Sequence, residues 1–255
     1  MRKIEFDSAT HTYKLNGIVK PSVTQVLGAV GARVTIEGDD GPFKMWKSFF
    51  DYSFLPEDAA DVAKSRGSWV ADLIAWWLNK QIRAEHDRPY PLSSLQTSRL
   101  SNDECYPGIF GREWLPYFYC FEDWWNSRRD LKTIFVEKPL YDPELDCCGS
   151  PDWFGTMDGR YAIIDWKTGI ASEDTRYQTA AYEMLIKAQG PLRLPKGVRN
   201  DPGHPIHFIH RAALELHNDG TDAKLISYPI QDAANDRGVF LAARRIYQVI
   251  GEGLR

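Results

Sequence analysis

The chain has 255 residues, with 31 Lys and Arg against 35 Asp and Glu. Its net charge of −4 excludes a basic nucleic-acid coat but leaves room for a local basic patch. A hydrophobic content of 43% excludes a disordered chain. No apolar run approaches the roughly 20 residues that span a membrane, and the first residues lack the apolar stretch of a secretory signal. A soluble, intracellular protein with no membrane partner is expected. The length fits one domain over 1–255, divided into an N-terminal hairpin and helical region (1–132) and an α/β core (133–255). Cys105, Cys120, Cys147 and Cys148 form no C-x-x-C pair, and adjacent cysteines rarely bridge, so reduced thiols are expected.

In chain order, IEFDSATHTYKLNGIV alternates as a hairpin does, with Asn16-Gly17 as its turn. In PSVTQVLGAVG, Ser22 or Thr24 caps a short helix that ends near Gly28 or Gly31. VTIEGDDGPFK reads as a loop. A proline followed by acids, Pro56-Glu57-Asp58, reads as the first turn of a helix that reaches Lys80 and bends or breaks near Gly67. Within it Trp69, Leu73, Trp76 and Trp77 form a core stripe. Gln81 to Gly111 reads as an ordered surface excursion. A second aromatic helix follows over 113–129, with Trp114, Phe118, Phe121 and Trp125 on one face.

From Thr133 the pattern changes. TIFVEKPLYD reads as one strand, and SPDWFGTMDGRYAIIDWKTG as two strands joined at Asp158-Gly159. DTRYQTAAYEMLIKAQG reads as a helix, and IHFIHRAALEL and AKLISYPI as a hairpin about Asn218-Asp219-Gly220. AANDRGVFLAARRIYQVIGEG is a closing helix. The order predicts an α/β fold with a mixed sheet flanked by helices, behind a helical N-terminal region.

The Asp158-Gly159 turn has a chemical consequence. A two-residue type I′ loop, which Asp-Gly favours because both positions need positive φ, fixes the register. Met157 then faces Arg160, Phe154 faces Ile163, Trp153 faces Ile164, and Asp152 faces Asp165. Directly paired residues share a face, so two carboxylates converge, with Lys167 on the same side. Like charges placed opposite each other destabilise a sheet, and Asp165 interrupts the apolar run YAIIDW, where burial opposes an unpaired charge. A hard divalent cation, Mg²⁺ or Mn²⁺, resolves the conflict through oxygen ligands and suits phosphodiester hydrolysis. Lys167 orients or helps activate water, or offsets developing negative charge. Alternatively, Asp152 caps a turn and Asp165 pairs with Lys167 as a surface charge set.

GSPDWFG, IIDWKTG and YQTAAYE together resemble the PD-(D/E)XK superfamily, in its RecB-like (Cas4-like) exonuclease branch, and the flanks HTYKLNGIVKPSVTQVL and HRAALELHNDGTDAKLISYPI are similar to phage-type members of it. Pro151-Asp152, then Asp165-Trp166-Lys167, match the signature that names the family, over roughly residues 133–187. The resemblance implies a restriction-endonuclease-like core and a Mg²⁺- or Mn²⁺-dependent deoxyribonuclease. It implies Asp152, Asp165 and Lys167 as catalytic residues, and Asp152, Asp165 and the Trp166 main-chain carbonyl as metal ligands. Gln178 and Tyr182, a Q-x-x-x-Y pair, are implied to support the site or contact nucleic acid. Glu137 reads either as an acid that helps the site or as a solvated strand charge. No iron–sulfur cluster is expected, because no cysteine follows Cys148. The implied setting is DNA, single-stranded or with free ends, in the cytoplasm of a bacterial host, with a phage recombination or replication protein as partner. One departure stands out. RGSWVADLI matches a helix that often carries a metal-ligating His, but has Ala71 at that position, and Asp72 is rotated about 100° away.

His204, His207 and His210 have spacing that ill suits zinc on one strand. Arg128, Arg129, Arg211, Arg244 and Arg245 are candidates for a phosphate-binding patch or are ordinary solvated charges. Surface aromatics either stack bases or pack the core. Two other functions compete: a catalytically decayed nuclease fold kept for binding DNA or a partner, and a DNA-packaging factor without hydrolysis.

Overall fold

A computed structural model describes residues 4–7, 10, 12–38, 41–48, 57–87, 112–190 and 209–253. Of 31–38, 41–48, 57–60, 81–87, 112 and 251–253 only the backbone is described. The fold is mixed α/β, as the order of patterns predicts.

Strands β1 (Ile4–Asp7), β2 (Thr12–Leu15) and β3 (Ile18–Lys20) form an antiparallel meander. Asn16 and Gly17 both have positive φ, 50° and 81°, the backbone a tight β2–β3 turn demands. Of the two candidate caps, Ser22 is the one used at α1 (Val23–Ala29). Its hydroxyl accepts from Gln25 N at 3.1 Å, while Gln25 Oε1 accepts from Ser22 N at 3.0 Å.

The segment expected as a loop is instead a hairpin, β4 (Gly31–Gly38) and β5 (Gly41–Ser48), with Gly38 opposite Gly41. Val34 and Ile36 alternate with polar residues as a strand requires, a pattern masked in the sequence by the adjoining glycines and acids. Helix α2 (Glu57–Asp87) runs unbroken through Gly67 and continues past Lys80. Seven residues assigned to the surface excursion are thus helical, while 88–111 and Pro56 lie outside the described residues. A 3₁₀ turn at Arg112–Trp114 leads into α3 (Leu115–Asn126).

The stretch expected as one strand after Thr133 is two: β6 (Lys132–Val136) and β7 (Leu140–Asp142). Between them Glu137 has φ 48°, and left-handed backbone cannot continue a strand. β7 pairs with an unforeseen partner, β8 (Cys147–Gly149), around a turn in which Asp142 Oδ1 accepts from Glu144 N and Leu145 N. Next come β9 (Trp153–Met157), β10 (Arg160–Thr168), α4 (Asp174–Ala188), β11 (His210–Leu216), β12 (Lys224–Tyr228) and α5 (Ala233–Gly253).

The main sheet runs β12-β11-β10-β9-β6. β10 and β11 are parallel, joined through α4, and the other pairs are antiparallel. Both faces are covered, which is why YAIIDW reads as a nearly continuous apolar run. Trp153, Ala162, Ile164 and Trp166 meet Val70, Leu73, Ile74 and Trp77 of α2 and Phe118 and Phe121 of α3. Phe154 and Ile163 on the opposite face meet Tyr182 and Ile186 of α4, Phe240 of α5 and Val26 of α1. Trp69 and Trp76 of the expected stripe are only partly buried beside it.

Gly155 is fixed by close approach. A Cβ there would lie 2.3 Å from the Lys132 carbonyl oxygen and 2.3 Å from Trp153 Cζ2, and the backbone oxygen cannot swing aside. Gly155→Ala is expected to destabilise the protein by about 1–3 kcal/mol through overpacking. A urea midpoint equal to wild type contradicts this. Among the described residues no helix is long and apolar enough to cross a membrane.

Candidate active site

The predicted register holds from Met157↔Arg160 to Trp153↔Ile164, about a turn with Asp158 at φ 52° and Gly159 at φ 71°. It stops one pair short of Asp152 and Asp165. Asp152 instead turns its carboxylate to the strand edge, where Oδ2 accepts from Trp166 N at 2.7 Å. In a strand the N–H and C=O of one residue point to the same edge. The Trp166 carbonyl is therefore directed to the side where Asp152 lies, just beyond the end of the β9 ladder. Its indole packs the other way, edge-on to Phe121 at 5.2 Å.

Asp165 is 1% exposed, and its Oδ1 has no hydrogen-bond partner among the described residues. Lys167 Nζ lies 2.6 Å from Oδ2 as an ion pair. The same Nζ donates to Gln178 Oε1 at 3.3 Å, and Gln178 Nε2 donates to the Tyr182 hydroxyl at 2.9 Å. Gln178 and Tyr182 are one turn apart on α4, so both reach down onto the end of β10. The sequence-predicted residues Asp165, Lys167, Gln178 and Tyr182 are thus one connected chain of side chains.

Burial, followed by the charges of Asp165 and Glu137, raises the Asp152 carboxyl well above its usual range. Burial, followed by Asp165 and Asp72, raises Glu137 from 4.5 to about 7. Glu137 is half-buried and stands just past the end of β6. Its left-handed backbone lets its N–H donate to Pro151 O at 3.1 Å and Asp152 O at 3.3 Å, which ties it to the site. Burial opposes the Lys167 charge, but Asp165 and Asp152 outweigh it and raise its pKa. Ala71 packs against the apolar cluster under α2, while the charge of Asp72 reaches Glu137.

Sequence reasoning missed two residues here. Tyr13 of β2 is buried, and its hydroxyl donates to Ser150 Oγ at 2.9 Å. Burial first, then Glu137 and Asp152 among other groups, holds the Tyr13 phenol protonated far beyond its ordinary range. The hairpin alternation marks Tyr13 as inward-facing, but nothing local says which part of the chain it meets. The same holds for Arg66, which donates to Thr168 Oγ1 at 3.1 Å and Thr168 O at 3.0 Å.

The arginine patch needs correcting. Arg211 is 1% exposed and bound to Asp236 at 2.7 Å and to the Arg176 carbonyl at 2.8 Å. Arg244 is 6% exposed and donates to Leu145 O at 2.8 Å. Both hold α5 in place and are closed to phosphate, whereas Arg245 is exposed. His210 is half-buried, and His204 and His207 lie outside the described residues. Cys120, Cys147 and Cys148 are free thiols, and burial pushes Cys147 and Cys148 up to about 12; Cys105 lies outside the described residues.

The donors gathered here are oxygens, which suit Mg²⁺ or Mn²⁺. One of them, Asp165 Oδ1, is buried without a partner among the described residues, and the neighbouring carboxyls are pushed toward protonation. Among the described residues, however, no three His, Cys, Asp or Glu side chains stand at metal-ligand spacing. The fitting set is therefore two carboxylates, Asp152 and Asp165, with the Trp166 carbonyl. A cation reaching Asp165 Oδ2 must displace the Lys167 ion pair.

The raised Glu137 pKa sets a sign. A carboxyl that holds its proton more tightly folded than unfolded contributes stability at low pH, and that contribution is lost as pH climbs from about 4.5 through about 7. Asp152 acts in the same direction. In EDTA the melting temperature is expected to fall from pH 5 to pH 8. Saturating Mn²⁺ is expected to shrink that fall, since the cation replaces protons. A metal-free melting temperature that rises across this interval contradicts the assignment.

The chain matches no family model and no curated protein sequence.

Proposed function

We propose that this chain is a Mg²⁺- or Mn²⁺-dependent deoxyribonuclease of the PD-(D/E)XK kind. In this reading it is a RecB-like exonuclease of phage DNA replication or recombination, working in the cytoplasm of a bacterial host beside a phage partner protein. The observation that carries the reading is Asp165: a carboxylate 1% exposed, with Oδ1 unpartnered and Oδ2 held only by Lys167, and with charge that acts on Asp152 and Glu137. Burying a charge this poorly satisfied is costly unless a ligand completes it.

The reaction is hydrolysis. Water attacks phosphorus, the P–O bond to the leaving oxygen breaks, and that oxygen takes up a proton. A bound Mg²⁺ or Mn²⁺ supplies Lewis-acid polarisation of the phosphate and makes water more acidic. Asp152, oriented by the Trp166 N–H, and Asp165, paired with Lys167, would supply the carboxylate oxygens that hold the cation. Lys167, steadied by Gln178, orients water or offsets the negative charge that grows on the phosphoryl oxygens. Tyr182 fixes Gln178.

A second reading keeps the fold but not the catalysis, as a module that binds DNA or a partner. Ala71 and the lack of a three-side-chain ligand cluster among the described residues favour it. The retained Asp152, Asp165 and Lys167 oppose it.

End-labelled single- and double-stranded DNA, with a closed circle beside them, separates these readings when incubated with Mg²⁺, Mn²⁺ or EDTA. Metal-dependent loss of linear DNA alone supports an exonuclease. Cutting of the circle makes the protein an endonuclease. Binding without cleavage of any substrate moves the assignment to the binding module.

A further inference from the structure

We propose that Ile170 is a wedge that enters the base stack at the end of a DNA duplex and unstacks it beside Lys167. This inference rests on the nuclease reading and adds a determinant of substrate choice. Ile170 is 88% exposed, more than any other exposed large hydrophobic residue described, the next being Ile18 at 64%. It stands three residues after Lys167, in the connection from β10 to α4 that joins the strand of Asp165 to the helix of Gln178. In open α/β sheets, ligands bind outside the carboxyl ends of the strands, where this connection lies.

The segment is held on both sides of the exposed side chain. Gly169 N donates to Leu216 O at 2.9 Å, and Ala171 N donates to Glu215 Oε1 at 2.8 Å. Ser172 Oγ then bonds Asp174 at the start of α4. Gly169 has φ 118°, a conformation that L side chains rarely adopt. An aliphatic side chain fixed in water gains by entering an apolar setting, and the space between stacked bases is one that Ile, Leu, Phe and Met wedges use.

A cation from α2 grips the chain two residues before Ile170. Arg66 grips Thr168 with two of its donors and lies over the Tyr117 ring at 5.1 Å, partly exposed. An exposed apolar side chain with a guanidinium anchored two residues before it in the chain suits a nucleic-acid end, with bases for the first and phosphate for the second.

The test compares hydrolysis of a blunt duplex with hydrolysis of the same labelled strand alone, in Mn²⁺, by wild type, Ile170→Ser and Ile170→Leu. The expected result is a fall on the order of tenfold on the duplex for Ile170→Ser, a single-strand rate within about twofold of wild type, and a duplex rate largely kept by Ile170→Leu. Equal rates for Ile170→Ser and wild type on both substrates, or an equal fall on both, overturn the wedge and leave the nuclease standing. Wild type that cleaves neither substrate overturns the nuclease reading and the wedge with it.

Discussion

Asp165→Asn is expected to lower metal-dependent DNA hydrolysis by about 10³ or more, while the metal-free protein melts no lower than wild type at pH 8. The two halves belong together. Asp165 is the buried ligand of the proposed centre, and without its charge the cation loses its deepest donor. Yet the Asp165 charge also raises both Asp152 and Glu137, so neutralising it relieves two buried neighbours. What is lost is an ion pair whose acid is buried and whose lysine is 30% exposed, so the freed Lys167 can turn to water and the desolvation cost of the Asp165 charge is removed. Lys167→Ala is expected to cost about 10²–10³ in rate, with Mn²⁺ still raising the melting temperature because both carboxylates remain. A variant series in which activity and stability fall in proportion points to damaged folding and contradicts this account.

Arg211→Ala is expected to be the most destabilising substitution considered, at about 3–5 kcal/mol. The side chain joins three elements: β11, which carries it, α4 through the Arg176 carbonyl, and α5 through Asp236. Asp236 is 0% exposed and also takes Arg176 Nε at 2.9 Å. Glu183 is 3% exposed, with Oε2 3.5 Å from Arg211 Nε. Truncating Arg211 strands part of that buried acid charge. The effect reaches the site, since the same guanidinium fixes the first turns of α4, just before Gln178. In urea denaturation, Arg211→Ala combined with Asp236→Ala is expected to lose less stability than the sum of the single changes, by roughly 0.5–3 kcal/mol. Strict additivity would mean that the pair is not coupled.

Local chemistry was the legible part of this fold. Asn16-Gly17 and Asp158-Gly159 each name a turn, and the second carries its register along five residue pairs. Ser22 with Gln25 spells a capping box, and α5 has the bounds its pattern predicts. What stayed hidden depends on tertiary partners. Glu137 breaks a strand with a left-handed backbone that no residue of its type announces, and the β7–β8 hairpin follows from that break. Gly67 looks like a helix bend by propensity, but α2 is held across the sheet and stays continuous. Arg211 and Arg244 look like surface cations until their buried acceptors are seen. At the site the turn brought Asp152 and Asp165 to neighbouring strands. It did not foresee that Asp152 would cap the ladder through Trp166 N, nor that Tyr13 would arrive from the first hairpin.

The most direct test of the central claim is the rate of label release from linear DNA as Mn²⁺ is raised from zero in EDTA-treated protein, for wild type and Asp165→Asn. The account predicts a saturable rise with Mn²⁺ for wild type and none for the variant. Cleavage by both at equal rates, or cleavage by wild type that persists in EDTA, would contradict it.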